Sequence, residues 1–299
     1  MTTLKECPIC SESNFTQKIR CKDHTASKEY FTIVSCETCG FLFTNPRPKN
    51  QNLNDYYKSD SYISHTNNSK GTFNRIYQAV RKHTIRKKVS LLKKLKKNGV
   101  HLDIGCGTGE FLNACKKRGY KTKGIEPSKT ARKKAIKNYN LSISENTDLS
   151  KYKNAEFDSI SMWHVIEHMP NLNENISQLN RILKPDGKLI IAVPNHNSWD
   201  ANYYKEYWAA WDVPIHLWHF SKTTIKKIFK KHNLRLIQIK PMLFDSYYVS
   251  ILSEEFAFGE KNFIKGFIIG FISNLFGVLT KRGHSSITYV FEKDHTIKN

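Results

Sequence analysis

A doubly wound α/β fold with a mainly parallel sheet is predicted on three observations. An apolar run over 100–104 leads into glycines at 105, 107 and 109, and a helix-compatible segment, 110–118, follows at once. A second strand-like run, 121–126, ends on Glu126, 21 positions after Gly105. Strand-like and helical stretches then keep alternating, through 157–163 and through a helix-then-strand pair over 179–193 with Lys184-Pro185-Asp186-Gly187 between its halves. Alternation of that kind makes a parallel sheet whose ligands bind at the carboxyl ends of the strands.

Glycine is needed where the main chain takes positive φ or where a ligand lies directly against the backbone. Three glycines in one strand-to-helix turn therefore imply a bound cofactor. A dinucleotide fingerprint would place its third glycine at position 110, which is Glu110, so nicotinamide-dependent redox chemistry is disfavoured. Glu126 is placed to take two ribose hydroxyls on one carboxylate. One cofactor would then span two strand ends.

The stretch LDIGCGTGEFL, Leu102 to Leu112, resembles the first motif of the class I S-adenosylmethionine-dependent methyltransferases, whose second strand also ends on a ribose-binding acid. The resemblance implies a seven-stranded, Rossmann-like sheet with S-adenosylmethionine as cofactor. It puts Gly105, Gly107 and Gly109 beside the methionine part, Glu126 on the ribose, and Glu145 or Asp148, after a short strand at 141–143, on the adenine amine. Asp103 is expected to orient the glycine turn. The segment 163–168 resembles the one that closes over cofactor and acceptor, with Trp163 among the cofactor contacts and His164 the candidate for acid–base chemistry. Glu167 and His168, at a helix start, read as structural, and Asp158 as a turn residue. Methyl transfer needs no covalent nucleophile; it needs alignment and at most the removal of one proton.

A chain of 299 residues has room for one such domain and a small accessory one. Its 48 Lys+Arg against 26 Asp+Glu leave a net charge of +22, a balance that attracts nucleic acid, anionic lipid or phosphorylated substrates, though a general excess of Lys, Asn and Ile explains it as well. Residues 1–5 carry no apolar leader, so cytoplasmic residence is expected, with peripheral contact at the inner membrane face as a further option.

Two CxxC pairs stand near the N-terminus, Cys7-Pro8-Ile9-Cys10 and Cys36-Glu37-Thr38-Cys39. In a reducing compartment such pairs argue for metal, and four thiolates close a structural zinc site with no open position. Cys21 and His24 offer a rival set with Cys7 and Cys10, but paired spacing is the stronger signal. The following 41–48 resembles the linker of zinc-ribbon methyltransferases from sugar and surface-polysaccharide pathways. The organisation expected is a zinc ribbon at 1–48, a linker and basic leading helix at 49–98, and the methyltransferase domain at 99–299.

Within 49–98, the polar stretch 60–71 is expected over the cofactor mouth. A helix over 72–98 follows, with Ile76, Val80, Val89, Leu92 and Leu95 on its apolar side and a dense basic remainder that includes Arg81 and Lys88. Those cations either stay in water or form a face for anionic headgroups. In the methyltransferase domain, the insertion 195–220 holds Trp199, Trp208, Trp211 and Trp218 with His196, His216 and His219. It reads either as a platform for an aromatic, glycan or lipid-linked acceptor or as a second small core, and His216 and His219 are candidate general bases. A further insertion, 241–284, carries a helix at 262–280 with Phe, Ile and Leu at three- and four-residue spacing. Both a buried core helix and an interfacial membrane helix through 262–282 fit it. The function expected is methyl transfer to a small or lipid-linked metabolite, saccharides included. An RNA methyltransferase, or a cofactor-binding protein without turnover, are the alternatives.

Overall fold

The computed structural model describes residues 1–57 and 72–295, and the stretch 60–71 expected over the cofactor mouth lies outside them. The central sheet has seven strands. Four of them, β4 (Val100–Ile104), β5 (Lys121–Ile125), β7 (Phe157–Trp163) and β8 (Leu183–Pro194), run parallel, and β6 (Ile143–Ser144) extends them beside β5. At the other edge β11 (Ser286–Lys293) lies antiparallel between β8 and β10 (Leu234–Pro241), giving the order β10-β11-β8-β7-β4-β5-β6. The central strands are buried on both faces, which is why Leu189 to Val193 reads as an unbroken apolar run. The Lys184 to Gly187 stretch, expected between a helix and a strand, lies inside β8, where the ladder with β7 skips register between Phe157 and Ser159. A proline without an N–H is tolerated at such an irregularity.

Helices cover both faces. Helix α1 (Thr72–Leu95) packs Val89 and Leu92 against Phe111 and Cys115 of α2 (Glu110–Lys116) and against Ile190 and Val290 of the sheet. Helices α3 (Lys129–Tyr139), α4 (Leu172–Ile182) and α6 (Lys222–Lys231) follow, with α5 (Trp199–Tyr204) inside the aromatic insertion.

The N-terminal strands β1 (Phe15–Lys22), β2 (Tyr30–Cys36) and β3 (Leu42–Thr44) form a second, antiparallel sheet. Its fourth strand is β9 (Trp218–His219), which belongs to the aromatic insertion and pairs Leu42 with His219 and Phe43 with Trp218. Phe41, Phe43, Trp218 and Phe220 join the same apolar core as Leu102, Ile160 and Leu189. Trp208 and Trp211, with Tyr204, form another core against Phe31, Ile33 and Leu42 of the ribbon. The insertion is thus a small core shared with the ribbon; among its large aromatics the exposed ones are Tyr203 and Tyr207.

The 241–284 insertion folds as two antiparallel helices, α7 (Asp245–Phe258) and α8 (Phe263–Leu279). Its packing inverts the core-helix expectation. Gly266, Ile269, Gly270 and Ser273 are the buried residues of α8, while Ile264, Phe267, Phe271, Val278 and Leu279 stay exposed. Large side chains cannot face α7 because its backbone is too near: a Cβ on Gly266 would meet Ile251 Cα at 2.8 Å and one on Gly270 would meet Tyr247 Cα at 2.8 Å.

Candidate functional site

Positive φ values of 71°, 55° and 81° at Gly105, Gly107 and Gly109 bend the chain from β4 into α2. A Cβ on Gly105 would lie 2.4 Å from Val165 Cγ2, so this glycine serves close packing. Gly107 differs: a Cβ there would meet nothing within 4 Å, and the backbone borders open space. The Glu126 carboxylate sits at the same place, accepting from the Gly107 amide at 2.8 Å and the Ser128 amide at 2.9 Å. Burial pushes its pKa up, and the two amides oppose that shift. Open space above a glycine amide with a buried acid at its edge suits a hydroxyl-bearing cofactor.

Asp103 is buried below the turn, and its Oδ1 accepts from Ser161 Oγ at 2.5 Å, so it ties β4 to β7. Burial pushes its pKa up to about 7 despite Ser161 and the nearby Lys88 cation. Lys88 comes from α1 and places Nζ 4.1 Å from the centroid of the Trp163 ring. Burial lowers its pKa to about 8, against the carboxylates of Asp245 and Asp103. Arg81, two turns earlier, donates to Thr108 Oγ1 at 3.2 Å and pairs with Glu110 at 2.8 Å, gripping the glycine turn from outside. Trp163 packs edge-on against Phe111, and its Nε1 is buried without a hydrogen-bond partner among the described residues.

Glu145 and Asp148 separate in role. Glu145 follows β6 directly, one position past the last ladder pair Ile125–Ser144, and pairs with Arg132 at 2.6 Å; the same guanidinium donates to the Glu126 carbonyl at 2.8 Å. Asp148 caps the 3-10 turn Leu149–Lys151 by accepting from Ser150 N.

Past β7 the chain turns sharply, with His164 at φ 57°. His164 Nε2 lies 2.9 Å from Asp245 Oδ2, and its Nδ1 lies 3.3 Å from Glu167 Oε1. Burial alone would depress its pKa, but hydrogen bonds and charge from Asp245 and Glu167 outweigh burial and raise it to about 9. His164 is therefore an imidazolium at neutral pH. Glu167 is fully buried, and apart from the 3.3 Å ion pair both of its carboxylate oxygens lack hydrogen-bond partners among the described residues. Donor atoms of Glu167, His168 and His216 lie within 4.8 Å of one another.

His216 is held opposite in character to His164. Its Nδ1 lies 2.9 Å from the Ala210 carbonyl, a partner that requires the proton on Nδ1 and leaves Nε2 as an acceptor. Burial, with His168 and His219 close by, drives its pKa well below the usual histidine value, so the ring is neutral. The turn and the insertion meet directly, since Leu217 N donates to Glu167 O at 2.8 Å. His219 points elsewhere: its Nε2 meets Thr44 Oγ1 at 3.0 Å and its ring packs on Trp211. Among the candidate bases, His164 and His216 converge on Glu167, and His219 braces the ribbon.

The four cysteines of the two CxxC pairs come together, with all Sγ atoms within 4.8 Å and the Cys7–Cys39 and Cys10–Cys36 pairs at 3.5 Å. Tetrahedral zinc at about 2.3 Å from each sulfur would space the ligands about 3.8 Å apart. Cys21 and His24 lie outside the group: Cys21 is buried with Phe31 and Ile33, and His24 stacks on Phe256 at 4.4 Å. A cavity of about 560 Å³ opens between ribbon and insertion, bordered by Lys18, His196, Asn202 and Trp211; its lining includes no residue of the glycine turn or of 164–168.

Sheet order, antiparallel last strand, glycine turn and acid-ended second strand together define a class I S-adenosylmethionine-dependent methyltransferase fold. The chain belongs to the methyltransferase-domain family, whose model matches residues 77–239. An uncharacterized protein of Methanocaldococcus jannaschii is 35% identical over 104 residues, covering 34% of this chain and 40% of that one. A ubiquinone biosynthesis O-methyltransferase of Dechloromonas aromatica is 29% identical over 104 residues, covering 32% and 44%. The chain spans about half the length of the curated relatives it matches, 40%, 46% and 56% for three of them. The crystal structure of Burkholderia thailandensis 1,6-didemethyltoxoflavin-N1-methyltransferase superposes with a TM-score of 0.52 at 11% identity, over 91% of this chain and 99% of that one, and shares the fold.

The sequence reading has no role for Asp245, and it leaves Arg81 and Lys88 in water or on a headgroup face, whereas they reach Thr108 and Trp163. Asp245 reaches His164 from an insertion 81 positions away, which no local pattern signals. Lys88 carried a signal: it shares one helical face with Ile85 and Leu92, so its stem lies along the inward side of the helix.

Proposed function

We propose that the chain transfers a methyl group from S-adenosylmethionine to a small or lipid-linked metabolite seated where His164, Glu167 and His216 converge. The observation that carries this reading is the buried Glu167 carboxylate, which beyond its 3.3 Å ion pair with His164 has no hydrogen-bond partner among the described residues and stands within 4.8 Å of the neutral His216. A buried acid is expensive without partners, and an acceptor bearing hydroxyl groups would supply them. Saccharides and polyols meet that description. The Dechloromonas relative, named as an O-methyltransferase of ubiquinone biosynthesis, supports an oxygen acceptor.

When bound, the cofactor supplies a sulfonium whose methyl leaves readily. Gly107 and Glu126 would hold its methionine and ribose parts, and Glu145 is better placed than Asp148 for the adenine side, since Asp148 is engaged as a cap. With its proton on Nδ1, His216 would accept the proton of an acceptor hydroxyl at Nε2. The His164 imidazolium, fixed by Asp245 at 2.9 Å, pairs with Glu167 at 3.3 Å and would orient it toward the acceptor. We further propose structural zinc at Cys7, Cys10, Cys36 and Cys39. That metal would fasten the ribbon whose β3 holds β9, and so fix His216 through the shared sheet.

Methyl-labelled S-adenosylmethionine incubated with cell extract and the protein tests the reading. Label is expected in metabolites or extractable lipids, lost with His216→Asn while affinity for S-adenosylhomocysteine persists. Label in RNA would transfer the assignment to a nucleic-acid acceptor.

A further inference from the structure

We infer that the outer face of α8 docks on an anionic lipid surface. The helix hides its small residues and displays its large ones. Ile264 is 76% exposed, Phe271 56%, Val278 73% and Leu279 69%, and Phe267, Ile268 and Leu275 lie on the same stripe. Phe258 at the end of α7 (64% exposed) continues the apolar ground. A face of this kind on a water-facing helix marks a docking surface. Among the described helices none is long and apolar enough to cross a membrane. The geometry is that of a helix lying in the interface.

Charge selects the occupant. Lys261 and Lys265 stand at the start of α8, and Lys281 and Arg282 follow its end, on a chain of net charge +22. Lys261 and Lys265 also pair with Glu255 and Glu254, so among the described residues the flanking cations without an ion pair stand at the C-terminal end. Apolar residues rimmed by cations match acyl chains beneath anionic headgroups. A second copy matches poorly, because α8 carries no acidic residue to set against the Lys281 and Arg282 of another α8.

The face is rigidly joined to the site. Gly266 and Gly270 seat α8 against α7, Ser273 Oγ donates to the buried Asp200 at 2.6 Å, and Asn274 Nδ2 donates to the Leu243 carbonyl at 2.8 Å. Leu243 is two residues from Asp245, the partner of His164. Docking would therefore present the acceptor side to the lipid surface, although the docking itself does not depend on which acceptor is methylated.

Co-sedimentation with vesicles of phosphatidylcholine, with and without phosphatidylglycerol, tests the inference alongside analytical ultracentrifugation without lipid. The full chain is expected to sediment with the anionic vesicles, less so in high salt. Ile264→Glu/Phe271→Glu, both at exposed positions and so able to keep the wild-type melting curve, should reduce partitioning about tenfold or more. Lys281→Glu/Arg282→Glu should weaken binding and remove most of its salt dependence. No sedimentation with anionic vesicles, or equal binding by the Ile264→Glu/Phe271→Glu variant, would overturn the inference. A lipid-free dimer that this variant disperses would also overturn it, by assigning the face to a second copy.

Discussion

Gly105 and Gly107 share positive φ but not surroundings, and substitution separates their roles. Gly105→Ala drives a Cβ to 2.4 Å from Val165, and overpacking of that kind costs about 1–3 kcal/mol on top of the left-handed backbone penalty. Gly107→Ala carries only that penalty, about 1–2 kcal/mol, because no protein atom stands in the way. Thermal melts should rank Gly105→Ala as the less stable, while titration with S-adenosylhomocysteine should show Gly107→Ala losing affinity at smaller cost to the fold. At His164, burial opposes the proton and Asp245 with Glu167 retain it, holding its pKa at about 9 against an ordinary 6.5. A folded value above the unfolded one makes this contribution complete below about pH 6.5 and lost as pH rises through about 9. NMR titration of the His164 ring should show its pKa falling in Asp245→Asn, and the stability gap between wild type and variant should shrink from pH 6 to pH 10; an unmoved pKa would remove Asp245 as its partner. The positive-φ glycine turn with an acid at its edge was legible because glycine spacing and a strand-end acid are local signals. The opposite protonation states of His164 and His216 were not, since they depend on burial and on tertiary partners, Asp245 for His164 and His168 for His216.

Helix α8 shows what periodicity leaves open. Spacing of Phe, Ile and Leu marks an apolar face, but whether that face turns inward depends on the partner helix. The small residues decided it: Gly266, Gly270 and Ser273 form a second stripe, and it is this stripe that α7 covers. Gly270→Val should force the helices apart, because its Cβ would lie 2.8 Å from Tyr247 backbone atoms, and should cost about 1–3 kcal/mol in a urea unfolding series. Unchanged stability would mean the pair is looser than described. On α1 the same logic runs the other way. Arg81 and Lys88 lie inward on the face with Ile85 and Leu92, toward Thr108 and Trp163, so a helix read from its composition as a basic surface also contributes two cations to the site.

At the scale of the whole molecule, the main departure from the linear reading is that ribbon and insertion share a sheet. Residues 42–44 and 218–219 are far apart in sequence, and strands of two or three residues leave no periodic trace. The pairing couples the cysteine centre to His216: Thr44 Oγ1 donates to the His216 carbonyl at 2.7 Å, and Trp218 Nε1 donates to the Met169 carbonyl at 2.6 Å. Chelation at neutral pH should release one zinc per chain and raise hydrogen exchange through 1–44 and through 209–219 together; exchange confined to the ribbon would show that the two are independent. The central claim is the cofactor site at Gly107 and Glu126, and calorimetric titration with S-adenosylhomocysteine tests it most directly. Wild type should bind one equivalent, and Glu126→Ala, which also frees the Gly107 and Ser128 amides, should still melt cooperatively but bind at least about tenfold more weakly. Equal binding by both, or binding by neither, would contradict the account.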